Sequence, residues 1–540
     1  MNRRDFLQTT GQGGAQMILA VAALGGSSGA VHAAPRPLRI DSFEYEEAGI
    51  LQLQSAMSSG KETAVSLAKK YLRRIEEVDR SGPRLNSVIE VNPDALAMAR
   101  GLDRERKQKG PRSSMHGIPI LIKDNIDTHD RMMTTAGSLA LVGSVPPRDS
   151  FVAQKLREAG AVILGKTNLS EWANFRGERS TSGWSGRGGQ TKNPYVLDRN
   201  PSGSSAGSGA AVSANLCSAA IGTETNGSIV SPSCYCGIVG LKPTVGLISR
   251  SGIIPISHSQ DTAGPMTRSV TDAAILLSAL VGVDPRDAAT RIHADRVPPD
   301  YMRFLDPNGL RGARIGIVRK LFRRENRAAK VMEAAFEVLR SAGAILVDPA
   351  DLPSLGKEGD SEDQILHYEF KADLNAYLAS LGSKAPVRTL KDIIEFNERN
   401  KEKELQFFGQ ETFIKAEAKG PLTDKVYLEA LEKGQRLARE EGIDAVMAEH
   451  RLDALVGPSG GPAHATDYVL GDRGSGGSSS PAAIAGYPNI TVPAGEVMGL
   501  PVGLSFFGRA WSEPTLLKLA FAFEQATRAR KVPRFLPTLG

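Results

Sequence analysis

The sequence predicts an α/β protein that folds as a single large domain. Short apolar runs bounded by glycine or polar residues are typical of buried strands, and amphipathic stretches between them are typical of helices. Residues 118–122 form such a run, residues 149–160 form a helix that ends in glycine, and residues 161–164 form the next run. Helices alternating with strands favour helical layers packed on a sheet. No break in composition and no internal repeat divides the 540 residues.

The same patterns continue along the rest of the chain. Apolar residues at helical spacing occupy 49–78 and 93–107. We expect further helices at 270–281, 328–342 and 515–528, and further strands at 313–318, 344–347, 453–457, 490–493 and 503–508. Residues 360–442 are mostly helical and charged on one face, so we expect a lid or an insertion over the core.

Composition narrows the class of protein. The chain is 41% hydrophobic and 23% charged, with a net charge of +6, which is ordinary for a globular enzyme. The positive charges are spread along the chain, and no basic run carries interleaved aromatic residues. We therefore expect no nucleic-acid partner.

The first 33 residues resemble a targeting segment. Arg3 and Arg4 precede Phe-Leu, a ten-residue apolar region spans 15–24, and a small-residue cleavage site lies before Ala34. Ten apolar residues are too few to span a bilayer, so we expect no stable membrane insertion. The alternative is an ordinary N-terminus with a chance pair of arginines. We predict a twin-arginine-type signal peptide at 1–33, export to the periplasm or beyond, and an enzymatic domain at 34–540.

The cysteines indicate neither a metal site nor a cofactor. The chain has only Cys217, Cys234 and Cys236, all among apolar or small residues. An odd number in such surroundings is typical of buried, unpaired thiols. The sequence has no HExxH and no paired CxxC, so we expect no metal and no cofactor.

A stretch of small residues from 203 to 240 is the most informative part of the chain. It follows a Gly/Ser/Asn-rich approach at 181–202, and such composition is also typical of a flexible linker. However, residues 210–220 are small and apolar, as in a closely packed helix, and residues 229–241 alternate apolar residues with turn formers. These glycines and serines therefore indicate loops packed against a core.

Two local motifs offer alternative interpretations of the function. Residues 160–167 match the phosphate-loop pattern GxxxxGKT, but their interior is Ala-Val-Ile-Leu, which is typical of a strand. Residues 203–207 match GxSxG around Ser205, but the preceding residues are not an apolar strand, as a nucleophile elbow requires. His464 is the best placed of the histidines to serve that serine, although nothing else in the sequence marks it.

Lys123 is a candidate base. It follows five apolar residues and precedes Asp124 and Asn125, polar residues able to hold it. A lysine at a strand end is often on the surface. If this one is buried, desolvation lowers its pKa from about 10.4 and makes a neutral amine available.

Several blocks of the chain resemble the amidase signature family. Residues 203–208 (GSSAGS), 222–229 (GTETNGSI) and 236–244 (CGIVGLKPT) match its pattern of Gly-Ser-Ser-Gly-Gly-Ser, Gly-Thr-Asp-Thr-Gly-Gly-Ser-Ile and Cys-Gly-Val-Val-Gly-Leu-Lys-Pro-Thr. Further matching blocks are GIPILIKDN at 117–125, TTAGS at 134–138, GKTNLSEWA at 165–173, DTAGPM at 261–266, AGYPNITVP at 485–493 and LPVGLSFFG at 500–508. The strong core covers about 116–270. The resemblance implies a mixed, twisted β-sheet covered by helices on both faces.

The resemblance also implies a Ser-Ser-Lys triad. Ser228 falls on the family's nucleophile, Ser204 on its bridging serine and Lys123 on its base, and the peptide bond between Gly203 and Ser204 is expected to be cis. Such a relay activates a hydroxyl that is otherwise a weak nucleophile.

Backbone N–H groups of the 222–229 block complete the expected site. The resemblance implies an oxyanion hole built from the backbone of Thr225, Asn226, Gly227 and Ser228. Four residues depart from the family pattern, none of them in the triad: Ser202, Ala206 and Asn226, each in place of glycine, and Glu224 in place of aspartate.

The function implied is hydrolysis of a carboxamide to a carboxylic acid and ammonia. Residues 367–377 and 408–411 resemble exported amidases that remove C-terminal peptide amides, so a small amide or an amidated peptide is the expected substrate. Two alternatives stay open. One is the glutaminase-like component of a tRNA-dependent amidotransferase, which is cytosolic and needs partner subunits. The other is a non-catalytic periplasmic binding protein on the same fold.

Overall fold

A mixed β-sheet forms the centre of the computed structural model, which describes residues 37–38, 40–292, 294–322, 327–383, 385–473 and 477–539. Within these residues the sheet has eleven strands in the order β1-β3-β2-β6-β8-β7-β12-β13-β11-β9-β10. The predicted signal peptide lies outside the described residues. The mixed sheet implied by the family resemblance is confirmed, because β2 pairs parallel with β3 and β6, whereas β6 pairs antiparallel with β8.

The strands are short, and most of those in the middle of the sheet are buried along their whole length. Their bounds are β1 Val88–Val91, β2 Pro119–Lys123, β3 Val162–Thr167, β4 Trp184–Ser185, β5 Gly189–Gln190, β6 Ala219–Glu224, β7 Val239–Lys242, β8 Thr262–Thr267, β9 Arg314–Ile317, β10 Ile345–Val347, β11 Ala454–Pro458, β12 Asn489–Val497 and β13 Leu500–Phe507. Strands β4 and β5 form a separate two-stranded pair.

Helices flank the sheet and supply most of the remaining core. Their bounds are α1 Ile50–Ser58, α2 Ala64–Arg74, α3 Ala95–Lys109, α4 Phe151–Glu158, α5 Ala206–Ser213, α6 Val230–Tyr235, α7 Val270–Leu280, α8 Arg327–Ser341, α9 Gly359–Ser380, α10 Leu390–Arg399, α11 Lys401–Glu404, α12 Glu411–Glu417, α13 Lys425–Ala438, α14 Asp444–Glu449, α15 Ser479–Ala485 and α16 Glu513–Thr527. Among the described residues, no helix has the length and apolar character that crossing a membrane requires.

The helical pattern predicted at 49–78 is interrupted in the structure. Helix α1 ends at Ser58, and Gly60 takes a φ of +76°. Helix α2 then begins with a capping box, in which the Thr63 hydroxyl accepts from the backbone of Ser66 and the Ser66 hydroxyl accepts from Thr63 N–H. A glycine in the left-handed region followed by such a cap ends one helix and starts another.

Two central strands differ from the sequence prediction. The helix expected at 210–220 ends at Ser213, and β6 begins at Ala219. Strand β8 was not predicted, because TAGPMT contains glycine and proline, which are poor strand formers. Gly264 is nevertheless needed there, since a Cβ at this position would lie 2.1 Å from the Leu241 carbonyl oxygen of the neighbouring strand β7.

The insertion predicted at 360–442 consists of helices α9 to α13. Its apolar residues form a second core with the segments that follow β2 and β3, including Phe370 and Phe413 on the helices and Leu169 and Trp172 beneath them. The insertion is thus packed over the carboxyl ends of these strands.

All three cysteines are buried and unpaired. Burial raises the pKa of the Cys217 and Cys234 thiols to about 12, and it raises the pKa of the Cys236 thiol as well. These thiols are therefore protonated and inert at neutral pH.

Candidate active site

The candidate site lies where two neighbouring parallel strands end. Strand β2 ends at Lys123, and β6 ends at Glu224, with Ile122 opposite Ile221 in the register. Because the carboxyl ends of parallel strands lie at the same edge of a sheet, Lys123 meets the loop that follows β6.

Lys123 is completely buried, which is the condition under which the sequence makes it a candidate base. Its Nζ lies 2.7 Å from Ser204 Oγ, 2.8 Å from Thr223 Oγ1 and 3.3 Å from the Thr223 carbonyl oxygen. Burial lowers the pKa of Lys123 from 10.5 to about 7, although the negative charges of Asp261 and Glu224 act in the opposite direction. A large share of the amine is therefore neutral near pH 7, with a lone pair able to accept a proton from Ser204.

Ser204 is held against the lysine by its own backbone. The Gly203–Ser204 peptide bond is cis, as the resemblance implies. The Ser204 carbonyl oxygen accepts from Ser170 N–H at 3.0 Å. A Cβ at Gly203 would lie 2.2 Å from Ser170 Oγ, so only glycine fits at that position.

Ser228 follows β6 and is brought back to the serine loop by a backbone bond. Ser205 N–H donates to the Ser228 carbonyl oxygen at 3.2 Å. Ser228 is 8% exposed, and its hydroxyl makes no hydrogen bond with any residue that the structure describes. Glu224 fixes the loop that carries this serine, because its Oε2 accepts from Ile229 N–H at 2.6 Å and from Val230 N–H at 2.9 Å.

The predicted oxyanion loop presents unused amides. Gly227 takes a φ of +83°, which turns the chain sharply before Ser228. Within the described part of the chain, the N–H groups of Thr225, Asn226, Gly227 and Ser228 find no acceptor. Successive unpaired amides in such a turn form a concavity suited to an anionic oxygen. The loop is accessible, since Asn226 and Gly203 are half-buried.

Side chains beyond the predicted set hold this loop. Thr225 Oγ1 donates to Asp261 Oδ1 at 2.6 Å. Asn226 Nδ2 donates to Glu362 Oε1 at 2.7 Å and lies 3.1 Å from Ser480 Oγ. Asp261 lies inside a block that matches the family pattern but had no assigned role, and Glu362 is 136 positions from its partner, so no local pattern indicates it.

The competing motifs have structural explanations. Ser205 is buried, and its hydroxyl donates to the Thr223 carbonyl oxygen at 3.0 Å. His464 instead packs against the edge of the Tyr235 ring and lies 3.6 Å from Asp472 Oδ1. The phosphate-loop match is the buried strand β3, as its apolar interior predicts.

Among the described residues, one group has the donor atoms of a metal site. His258, Glu369 and Asp373 have ligand atoms within 4.8 Å of one another. The group already forms ion pairs, with His258 Nδ1 at 2.8 Å from Asp373 Oδ2 and Nε2 at 3.4 Å from Glu369 Oε1. It joins helix α9 to the loop that contains Asp261.

The buried amine of Lys123, the hydroxyls of Ser204 and Ser228 and the free loop amides are the kinds of group that amide hydrolysis uses as base, nucleophile and oxyanion donors. A family model described as Amidase matches residues 66–517. The chain belongs to the amidase family, and the protein is an enzyme that hydrolyses amide C–N bonds.

Two relatives and one solved structure place the chain within that family. A probable amidase of Arabidopsis thaliana is 45% identical, over 92% of this chain and 93% of the relative. A component of the glutamyl-tRNA(Gln) amidotransferase of Synechococcus elongatus is 36% identical, over 89% of this chain and 98% of the relative. The native peptide amidase of Stenotrophomonas maltophilia has a TM-score of 0.88 and is 52% identical, over 92% of this chain and all of that chain.

Proposed function

We propose that the protein hydrolyses the carboxamide of amidated peptides to a carboxylic acid and ammonia, through an acyl-enzyme on Ser228. The observation that carries this proposal is the 2.7 Å contact between the buried Lys123 amine and Ser204 Oγ. The similarity to a peptide amidase supports the substrate class, because it is 52% identical to this chain. The amidotransferase alternative has less support, since that relative is 36% identical. Family membership favours an enzyme over the binding-protein alternative.

Acylation begins with proton transfer along the proposed relay. Neutral Lys123 takes the Ser204 proton as Ser204 takes the proton of Ser228, and Ser228 Oγ forms a bond to the carbonyl carbon of the amide. The carbonyl oxygen becomes an oxyanion and receives hydrogen bonds from the loop amides of Thr225, Asn226, Gly227 and Ser228. Loss of one such donor typically lowers the rate about 10²- to 10³-fold.

The same groups then release ammonia and hydrolyse the acyl-enzyme. As the tetrahedral intermediate collapses, the C–N bond breaks and the relay returns its proton to the nitrogen, so ammonia leaves. A water molecule then attacks the ester carbonyl while the relay accepts its proton. Cleavage of the ester C–O bond releases the carboxylic acid and restores the Ser228 hydroxyl.

The proposed function is tested by measuring ammonia release from amidated peptides, the corresponding free acids and simple amides. Release from peptide amides, with none from the free acids, supports it. A fluorophosphonate label located by mass spectrometry identifies the nucleophile. Label on Ser205 in place of Ser228 would revive the GxSxG interpretation.

The activity is expected to rise with pH through the titration of Lys123. The neutral amine is the active form, and burial lowers its pKa to about 7. We therefore expect kcat/KM to increase about tenfold per pH unit below that value and to level off above it. A profile from about pH 5 to about pH 9 checks this, and a rate that does not change across neutrality would exclude the lysine as the base.

Asn226 is expected to support turnover by anchoring the oxyanion loop. In Asn226→Gly, the loop loses its bonds to Glu362 and Ser480 and gains backbone freedom, so we expect kcat to fall about three- to tenfold with a smaller change in KM. Glu362→Gln alone and the double variant complete a mutant cycle. Strictly additive effects would show that the contact does not position the loop.

We also propose that residues 1–33 direct export by the twin-arginine route. The paired arginines, the apolar region of ten residues and the small-residue cleavage site support this proposal. Replacing Arg3 and Arg4 together by lysine is expected to leave the protein in the cytoplasm of an expressing bacterium. Fractionation followed by immunoblotting measures this, with the unmodified chain as the control. Undiminished export of the double variant would refute the route.

A further inference from the structure

A cavity lies beside the oxyanion loop, at the start of helix α9. Its volume is about 380 Å³. Leu321, Pro481 and Ile484 form an apolar wall, and Glu358 and Glu362 form an acidic wall. The cavity therefore has the mixed lining of a ligand site, apolar on one side and charged on the other.

The acidic wall contacts the oxyanion loop. Glu362 Oε1 accepts from Asn226 Nδ2 at 2.7 Å, and Ser480, which also lines the cavity, lies 3.1 Å from the same nitrogen. Asn226 is two residues before Ser228, so their Cα atoms are at most about 7.6 Å apart. The cavity therefore adjoins the loop that carries Ser228.

The described residues that line the cavity leave its acidic wall without a buried cation. Glu358 is 4% exposed, and its buried Oε2 makes no hydrogen bond with any described residue. The helix begins after Glu358, but this side chain does not cap it. Of the described residues, Lys320 is the cation among the lining residues, and it is exposed. A buried carboxylate without a partner is unfavourable, so a positively charged ligand group is favoured there.

We propose that this cavity is a substrate subsite for a positively charged group, the ammonium or guanidinium of a basic residue in the peptide amide. Glu358 and Glu362 receive the charged end, and the aliphatic stem of the side chain lies along Leu321 and Ile484. This inference rests on the proposed peptide amidase function and adds a preference for basic peptides to it.

The test compares lysine with norleucine, which has a similar stem without the charge. In the first series of peptide amides, lysine or norleucine stands one position before the amidated residue. In the second series, it stands two positions before. The rate of ammonia release gives kcat/KM for each peptide. In one series, we expect the wild-type enzyme to prefer lysine by roughly tenfold, the effect of one hydrogen bond to a charged group. In Glu358→Gln, that ratio should fall towards one.

Two further variants serve as controls. Asp360 lies in the same helical turn and is exposed, so Asp360→Asn should keep the wild-type ratio. Lys320→Gln removes the cation at the cavity from an exposed position and should raise the preference about threefold. It also keeps the test informative if Glu358→Gln does not fold.

The outcomes separate the two proposals. A wild-type ratio of one in both series, or a preference that survives in Glu358→Gln, overturns the subsite. An unchanged ratio in Lys320→Gln also counts against it. Absence of ammonia release from any peptide amide would instead refute the proposed function.

Discussion

Replacing Ser228 by alanine is expected to abolish ammonia release from peptide amides, with a fall in kcat of roughly 10⁴-fold or more. Without the hydroxyl, no acyl-enzyme forms, and Lys123 and Ser204 have no nucleophile to activate. The fold should survive, since the Ser228 hydroxyl makes no hydrogen bond within the described residues. Ammonia assays, fluorophosphonate labelling and thermal unfolding together check this result.

Ser231→Ala provides a matched control for that variant. Ser231 is a half-buried serine on the helix that follows the same loop, and it is expected to keep turnover within about threefold. If Ser228→Ala still released ammonia at the wild-type rate, the nucleophile would be another residue. If it lost the thermal transition as well, the loss of activity would reflect unfolding.

Replacing Lys123 by methionine is expected to cause the second large loss of activity. We expect kcat to fall roughly 10³- to 10⁴-fold, because removing the base leaves the serine relay without a proton acceptor. Fluorophosphonate labelling of Ser228 should slow in parallel, since it depends on the same relay. Labelling at the wild-type rate would show that Lys123 does not activate the serine.

In Lys123→Met, we expect the loss of turnover to be accompanied by a changed pH dependence of the free energy of unfolding. A lysine with only a structural role would change the stability without this loss of turnover. The pKa of Lys123 is about 7 in the folded protein, against an ordinary value of 10.5, so the folded state binds fewer protons between these two values. The free energy of unfolding therefore rises with pH across this window, by an amount on the order of 5 kcal/mol for this group. Lys123→Met should remove that slope.

Lys166→Met is the matched control. Lys166 is also a buried lysine with a lowered pKa, but its Nζ donates to the Ile126 carbonyl oxygen and to Thr134 Oγ1 rather than to a serine of the site. We expect this variant to alter the pH dependence of stability while turnover stays within about tenfold of the wild type.

The sequence indicated the candidate catalytic residues but not the residues that hold the oxyanion loop in place. Lys123, Ser204 and Ser228 each lie in a block with a recognisable pattern, and the structure places the first two in contact. Their roles stay predictions that the variants above test. The contact of Glu362 with Asn226 could not be predicted, because it depends on how helix α9 packs, and no local sequence pattern encodes that packing.

The fold shows the same division. Strand β2 was predicted because it is a continuous apolar run between glycine and aspartate. Strand β6 was missed because Ala219 to Glu224 consists largely of small residues that suit a helix or a strand equally, and only pairing with β2 and β8 decides between them. Strand β8 contains Gly264, which weakens the local strand pattern but allows the neighbouring strand to approach closely.

The burial of Cys217, Cys234 and Cys236 has a practical consequence for work on this enzyme. Thiol-directed reagents have no exposed cysteine sulfur to attack while the chain stays folded. A titration of the native protein with a thiol-directed reagent is therefore expected to give no signal, and these cysteines need no reductant in the buffer.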